Sequence, residues 1–142
     1  MDTDDSRDTE RPGQSARAGV AADDGLDEIS VSADTQVGEL KEGELSFYQV
    51  SPEDFGIERQ ADFTALQVNS AAESLELLKQ ALNYSHRAAG DIVALNAGAA
   101  IYAAQLTSSL IEGVEMAKSV LAGGEALAKL EALVTFTQSQ CS

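Results

Sequence analysis

Apolar and polar residues alternate in short runs in the first patterned part of the chain. The runs LDEISVS, TQVGEL and ELSFYQV, between residues 26 and 50, are rich in β-branched and aromatic residues, a composition typical of strands. Only KEG separates the last two runs, so the pattern predicts a β-hairpin with its turn near Lys41–Gly43. In the second strand of this hairpin we expect one half-buried side, formed by Leu45, Phe47 and Val50.

Helical spacing replaces this alternation in the second half of the chain. The segment SPEDFG, residues 51–56, first predicts one short helical turn. Further on, apolar residues three and four residues apart follow two capping boxes, which predicts amphipathic helices. The capping boxes are Ser70 with Glu73 and Ser109 with Glu112. The first helix should end near Asn83 and the second at Gly123-Gly124, and a last helix should follow to about Val134.

The segment DIVALNAGAAIYAAQL, residues 91–106, is apolar around nearly its whole circumference. It therefore predicts a helix that other elements surround. Gly98 in its middle costs about 1 kcal/mol relative to Ala, which is best explained by another backbone passing close by. His86 lies in the loop before it without a second His, Cys or carboxylate at ligand spacing, so we interpret it as a surface-loop residue.

The two ends of the chain lack such patterns. Residues 1–22 contain almost no large apolar side chains and no period, so we predict a disordered acidic tail. Residues 23–138 contain all the predicted elements and are long enough for one domain with a core. Residues 139–142 are expected to form a flexible end.

Composition narrows the classes of partner. The formal net charge is −15, from 24 acidic and 9 basic residues, and no cluster of Lys or Arg is present, so nucleic acid is an unexpected partner. No stretch approaches the roughly 18 apolar residues that cross a bilayer, and no secretory leader is recognisable, so we expect no membrane association. The single cysteine, Cys141, cannot form an internal disulfide and suits a reducing compartment. We therefore expect a cytoplasmic protein.

The densest group of ionisable residues is acidic. Asp23, Asp24, Asp27 and Glu28 lie within six positions at the start of the patterned region. Paired carboxylates can hold Mg²⁺ while the ion keeps several waters for a substrate phosphate. Acids at such a junction are also commonly just hydrated, and spacing alone leaves both interpretations open.

Four blocks of sequence resemble the C-terminal part of the anthranilate phosphoribosyltransferase family, in the same order and with similar spacing. They extend from about Asp24 to Phe136 and are DGLDEIS, ELKEGELSFYQVSPEDFGI, IVALNAGAAIYAA and SLIEGVEMAKSVLAGGEALAKLEALV. The resemblance implies an α/β fold with a mostly parallel sheet flanked by helices. Residues 23–138 would supply the C-terminal part of that domain, as a β-hairpin region followed by about four helices.

The resemblance also implies a reaction. Members of this family transfer the phosphoribosyl group of phosphoribosyl pyrophosphate to the amine of anthranilate, with Mg²⁺ assistance, in tryptophan biosynthesis. In the family's GLDE motif the Asp-Glu pair contacts Mg²⁺, and the matching residues here are Asp27 and Glu28, with Gly25 and Leu26 as the framework that positions them. A metal at the pyrophosphate stabilises the departing group. Anthranilate and phosphoribosyl pyrophosphate are therefore the expected partners in the parent enzyme.

Several features of the family are absent from the sequence. The GTGGD loop that cradles the pyrophosphate, the KHGNR-type segment, the arginine that meets the anthranilate carboxylate and the N-terminal helical domain have no counterpart. Because positioning is a large part of the rate, we expect a fragment that is inactive alone, and we assign no residue a direct catalytic role. The family's homodimer is not expected either, since the helical domain contributes the dimer contact.

Two alternatives to an inactive fragment stay open. In one, the chain is a non-catalytic interaction or regulatory module derived from that domain, which should fold cooperatively and stay soluble. In the other, it complements a separately encoded N-terminal half, and activity appears only when both pieces are mixed.

Overall fold

The computed structural model describes residues 16–140, which form three strands, two short 3₁₀ turns and four α-helices. The strands are β1 (Ala16–Ala22), β2 (Thr35–Lys41) and β3 (Glu44–Val50). The 3₁₀ turns are Pro52–Phe55 and Thr64–Leu66. The helices are α1 (Ala71–Leu82), α2 (Arg87–Ala103), α3 (Leu110–Ala122) and α4 (Glu125–Gln140). The predicted α/β class, a hairpin region followed by four helices, is confirmed.

The hairpin is the central part of a three-stranded antiparallel sheet with the order β1-β2-β3. Its register places Lys41 opposite Glu44 and Thr35 opposite Val50. Glu42 and Gly43 form the two-residue turn, and both have positive φ angles, 53° and 82°, as hairpin turns of this length require. The predicted turn is confirmed. The mostly parallel sheet that the resemblance implies is not formed by these three strands.

The prediction of a disordered tail up to residue 22 is wrong for residues 16–22, which form β1. This strand pairs along its whole length with β2, from Ala16 opposite Lys41 to Ala22 opposite Thr35. Val20 and Ala22 supply the apolar contact, since Ala22 is buried and Val20 packs against the core. Apart from Arg17, the other positions hold only Ala and Gly, which is why the segment shows no strand pattern. Residues 1–15, Cys141 and Ser142 lie outside the described residues.

The run LDEISVS is not a strand, although its composition predicts one. It belongs to the loop of residues 23–34 between β1 and β2. Ile29, Ser30 and Val31 are all buried in succession, so the side chains do not alternate as they would in a strand with one solvent-facing side. Side chains rather than a neighbouring strand bond to the backbone of Ile29 and Ser30.

The orientation predicted for β3 is also wrong for two of its three residues. Leu45 and Phe47 are 63% and 78% exposed, whereas Val50 is buried as expected. In a strand, residues of opposite parity face opposite sides, and here Tyr48 and Val50 face the core. The apolar residues Leu45 and Phe47 therefore lie on the outer side of the sheet.

The helices begin where the capping boxes predict. The side chain of Ser70 accepts from Glu73 N–H before α1, and that of Ser109 accepts from Glu112 N–H before α3. The α1 helix ends at Leu82, one residue before the predicted limit. The last helix continues to Gln140, so Ser139 and Gln140 belong to α4 and not to a flexible end.

Helix α2 lies at the centre of the packing, as its apolar circumference predicts. Its Leu95 joins the core formed with the sheet, the loop of residues 23–34 and α3, and its Ala94 packs against Ala117 and Leu121 of α3. Ile29 and Val31 extend this core into the loop, where both side chains are buried. No helix among residues 16–140 is both long and apolar enough to span a membrane.

Candidate metal-binding loop

The loop of residues 23–34 starts with a tight turn directly after β1. Gly25 N–H donates to Ala22 O at 3.0 Å, and Ala22 N–H donates to Leu26 O at 2.9 Å. Gly25 has a φ of +91°, a left-handed conformation that favours glycine over any side chain. The loop is closed at its base because Asp23 N–H donates to Asp34 O at 2.9 Å. Asp27 and Glu28 follow this turn.

Asp24 turns its carboxylate into the loop. Its Oδ1 accepts from Leu26 N–H at 3.2 Å, and its Oδ2 accepts from the hydroxyls of Ser30 and Ser32, each at 2.5 Å. Burial opposes ionisation of Asp24, but the hydrogen bonds from the two serines outweigh it and lower the pKa of the carboxyl below its usual value. Asp24 is therefore an exposed residue whose carboxylate braces the loop.

Asn96 of α2 holds the other side of the acidic pair. Its Oδ1 accepts from Ile29 N–H at 2.9 Å, and its Nδ2 donates to Ile29 O at 3.1 Å. The same Nδ2 donates to Ile92 O, at 3.0 Å, within its own helix. An amide side chain thus pairs both backbone groups of a loop residue that is only 2% exposed.

The two predicted ligands, Asp27 and Glu28, are exposed to solvent between these two attachments. The other two acids of the predicted group, Asp23 and Asp24, do not complete a closed site with them, and Asp24 bonds to Ser30 and Ser32 instead. Among residues 16–140, no three His, Cys, Asp or Glu side chains lie close enough together to hold a metal ion on their own. Two carboxylates fit Mg²⁺ only if further oxygens come from water and a substrate phosphate, which is the usual way proteins bind this ion.

The histidine has a structural position. His86 is the N-cap of α2, where its Nδ1 accepts from Ala89 N–H at 3.3 Å. His86 therefore caps a helix and does not lie in the open loop that the sequence predicted.

A second polar cluster connects α2 to the hairpin. Glu39 Oε1 accepts from Tyr102 OH at 2.6 Å, Glu39 Oε2 accepts from Tyr48 OH at 3.2 Å, and Lys41 Nζ donates to Tyr102 OH at 3.3 Å. Burial, with the adjacent carboxylate of Glu39, raises the pKa of Tyr48 to about 12. The cluster pairs a nearly buried carboxylate with two phenols and a cation, and it fixes how α2 crosses the sheet.

Sequence reasoning missed Asn96 as a member of the site. It is one of the few polar residues in a largely apolar segment, and polar side chains that are taken out of water need partners. That contrast was the available signal, but it does not reveal which backbone group, 67 positions away, is the partner.

Comparison with known proteins gives a consistent result. The sequence model of the glycosyl transferase family, a/b domain, matches residues 11–127. The anthranilate phosphoribosyltransferase of Thioalkalivibrio sulfidiphilus is 48% identical over 120 residues, which cover 84% of this chain and 35% of that protein. The chain thus spans about a third of the length of the curated relatives it matches.

Solved structures show the same fold. The crystal structure of anthranilate phosphoribosyltransferase from Thermus thermophilus matches with a TM-score of 0.75 and 35% identity, over 87% of this chain and 36% of that one. Anthranilate phosphoribosyltransferase from Saccharomyces cerevisiae, in complex with PRPP and Mg, matches with a TM-score of 0.72 and 23% identity, over 86% of this chain and 35% of that one. At that identity the second match concerns the fold alone.

Proposed function

The chain belongs to the glycosyl transferase family, and from that premise we propose that it works as part of an anthranilate phosphoribosyltransferase, with Asp27 and Glu28 as Mg²⁺-binding residues. The substrates would be phosphoribosyl pyrophosphate and anthranilate. The enzyme would act in the cytoplasm. The observation that carries the proposal is the loop geometry. The only two residues between the anchored Leu26 and Ile29 are adjacent, exposed carboxylates.

The carboxylates of Asp27 and Glu28 would supply part of an oxygen shell and leave the rest to water and to the pyrophosphate group. When bound there, Mg²⁺ would neutralise the negative charge that develops on the departing pyrophosphate. The yeast enzyme has been solved with PRPP and Mg together, which is the combination this site would need. The chain itself, with a net charge of −15, offers little positive charge for a phosphate, so a cation is the natural bridge.

Binding of Mn²⁺, a close substitute for Mg²⁺ at oxygen sites, tests this assignment in the presence of inorganic pyrophosphate. We expect electron paramagnetic resonance to show weak binding that Asp27→Asn combined with Glu28→Gln abolishes. The matched control is Glu42→Asn combined with Glu44→Gln, which removes the same charge from two exposed residues of the hairpin. Equal affinity in both double variants would contradict the assignment of Asp27 and Glu28.

The catalytic part of the proposal is tested by the loss of anthranilate fluorescence. With phosphoribosyl pyrophosphate and Mg²⁺, we expect no turnover by the 142-residue chain alone, because its sequence contains no GTGGD motif to position the pyrophosphate. Turnover that Glu28→Gln abolishes would show that this chain positions both substrates by other means. Turnover that appears only after addition of a piece containing the GTGGD motif would favour the complementing-half alternative.

The second candidate function is a non-catalytic interaction module. It is favoured by the large apolar side chains left exposed on the sheet and on the last helix, such as Phe47 and Phe136. Such a module should unfold cooperatively and stay soluble without binding Mn²⁺. Strong ANS binding and broad NMR lines would instead indicate an incompletely packed part of a larger domain.

A further inference from the structure

The residues that flank the acidic pair have all their backbone hydrogen-bonding groups occupied. On one side, Leu26 N–H donates to Asp24 Oδ1 and Leu26 O accepts from Ala22 N–H. On the other side, Ile29 N–H and Ile29 O both bond to the amide of Asn96. Four backbone bonds therefore bracket a segment of only two residues. A segment of two residues with both ends fixed has few backbone conformations left, because each residue contributes only two soft dihedral angles.

Asn96 suits this role because its amide carries a donor and an acceptor on one rigid plane. It matches the N–H and C=O of a single residue with one acceptor and one donor held in a fixed relative geometry. Its position is fixed in turn, since it sits in α2 and its Nδ2 also bonds to Ile92 O. Asn96 therefore attaches the loop to α2, the helix at the centre of the packing, and not to another loop.

Asp24 braces the opposite end of the segment. Its two carboxylate oxygens bond to Leu26, Ser30 and Ser32, so they connect the residue before the acidic pair with residues after it. This closes the loop across the pair. These bonds use three of the roughly four acceptor positions of the carboxylate.

We propose that Asn96, assisted by Asp24, is a positioning residue that fixes the direction of the Asp27 and Glu28 carboxylates for cation binding. This inference rests on the proposed function, because it assigns how that function's metal ligands are held. A divalent cation binds more weakly when its carboxylate ligands are displaced from the geometry it prefers. An anchored backbone at Asp27 and Glu28 should therefore increase the affinity of the loop for the cation.

The test combines a readout that needs no metal with one that does. Amide hydrogen exchange at Leu26 and Ile29 reports anchoring directly, and Mn²⁺ binding with pyrophosphate reports positioning of the ligands. For Asn96→Ala we expect about tenfold faster exchange at Ile29, the equivalent of one lost hydrogen bond, and clearly weaker Mn²⁺ binding. Asn83→Ala is the matched control, since Asn83 Oδ1 accepts from Ser85 N–H at a site away from the loop.

Asp24→Ala gives a second test that leaves the core untouched, because Asp24 is exposed. We expect faster exchange at Leu26 and weaker Mn²⁺ binding, with circular dichroism unchanged. Asp24→Asn keeps an acceptor for Leu26 N–H and should restore most of the affinity. Asp62→Ala is its control, since Asp62 Oδ1 accepts from the N–H and the hydroxyl of Thr64 in the same local pattern.

The possible failures are distinguishable. If Asn96→Ala and Asp24→Ala are folded and bind Mn²⁺ as tightly as the unsubstituted chain, the positioning role is wrong while the proposed function stands. Unchanged exchange at Ile29 in Asn96→Ala would overturn the anchoring itself. If the unsubstituted chain binds no Mn²⁺ with pyrophosphate, the proposed function fails and the positioning role for a cation fails with it.

Discussion

Gly98 of α2 lies directly against the backbone of Val114 in α3. A Cβ atom at Gly98 would come within 2.5 Å of Val114 Cα and 2.6 Å of Val114 N, and a Cβ at Gly113 would collide with Gly98 O. The absence of two side chains is what lets α2 and α3 approach this closely. Gly98 is buried within α2, where alanine would otherwise be the better helix former.

Gly98→Ala should therefore destabilise the chain. Alanine gains about 1 kcal/mol in helix propensity, but the helices would have to separate, and overpacking of this kind costs about 1–3 kcal/mol or more. We expect a net loss of unfolding free energy, measured by urea denaturation. Gly19→Ala is the control, since nothing lies within 4 Å of a Cβ there. Equal midpoints for the two variants would contradict the close approach.

The close contact at Gly98 was predictable from the sequence. A glycine within a strongly apolar helical segment has a local cost that only a close neighbour explains, so Gly98 indicates the approach of another backbone. The same logic locates the caps at Ser70 and Ser109, because a helix must satisfy its first N–H groups locally. Features of this kind can be predicted from one sequence, because both the unfavourable free energy and the residue that explains it lie in the same short segment.

The predictions that were wrong concern features that depend on contacts between separate segments, and the local sequence pattern does not contain those contacts. The strand β1 exists because β2 pairs with it, and its Ala and Gly residues carry no period of their own. Leu45 and Phe47 look like a core face, but the parity of β3 is set by Tyr48 and Val50, which meet the core. By sequence Asp24 belongs to the same acidic group as Asp27, although Ser30 and Ser32 capture its carboxylate.

Tyr84→Phe should destabilise the chain at neutral pH. The Tyr84 hydroxyl donates to Oδ1 of Asp91, whose side chain is 1% exposed. Oδ2 of Asp91 has no hydrogen-bond partner among residues 16–140, and Arg87 Nε lies 3.8 Å from it. Removing a hydrogen bond from a buried carboxylate costs about 1.5–3 kcal/mol. Urea denaturation measures the loss.

A matched variant separates this effect from the loss of a phenol in general. Tyr48→Phe also removes a hydroxyl bonded to a carboxylate, but Glu39 keeps its bond from Tyr102 at 2.6 Å. We expect a smaller cost for it, about 0.5–1.5 kcal/mol. A Tyr84→Phe variant no less stable than Tyr48→Phe would mean that the buried Asp91 has another partner.

The three tyrosines of the chain should titrate above their ordinary range while it is folded. Burial, with the bond to Asp91, raises the pKa of Tyr84 from 10.0 to about 12, and burial near Glu39 does the same for Tyr48. The bond to Glu39 also raises the pKa of Tyr102. A higher pKa in the folded state means that folding favours the protonated phenol. This contribution to stability is therefore complete below about pH 10 and is lost as the pH rises toward about 12.

Tyrosinate absorbance checks this directly. In the folded chain we expect little ionisation near pH 10, followed by ionisation and unfolding together at higher pH. In urea all three tyrosines should titrate near pH 10, the ordinary value for a solvated phenol. A full tyrosinate step near that pH in the native chain would contradict the buried phenol–carboxylate pairs.

Leu45→Thr combined with Phe47→Thr should reduce self-association without loss of stability. These side chains are 63% and 78% exposed on the outer side of the sheet, so threonine keeps the strand propensity and removes apolar surface that other molecules can cover. Phe47 lies over Gly38 of the neighbouring strand, a local contact that threonine loses at small cost. We expect sedimentation velocity to show less oligomer and thermal unfolding to shift little. Val50→Thr is the control, because Val50 is buried in the core and its substitution should lower stability instead. A large loss of stability in the double variant would show that this side of the sheet is covered by the chain itself.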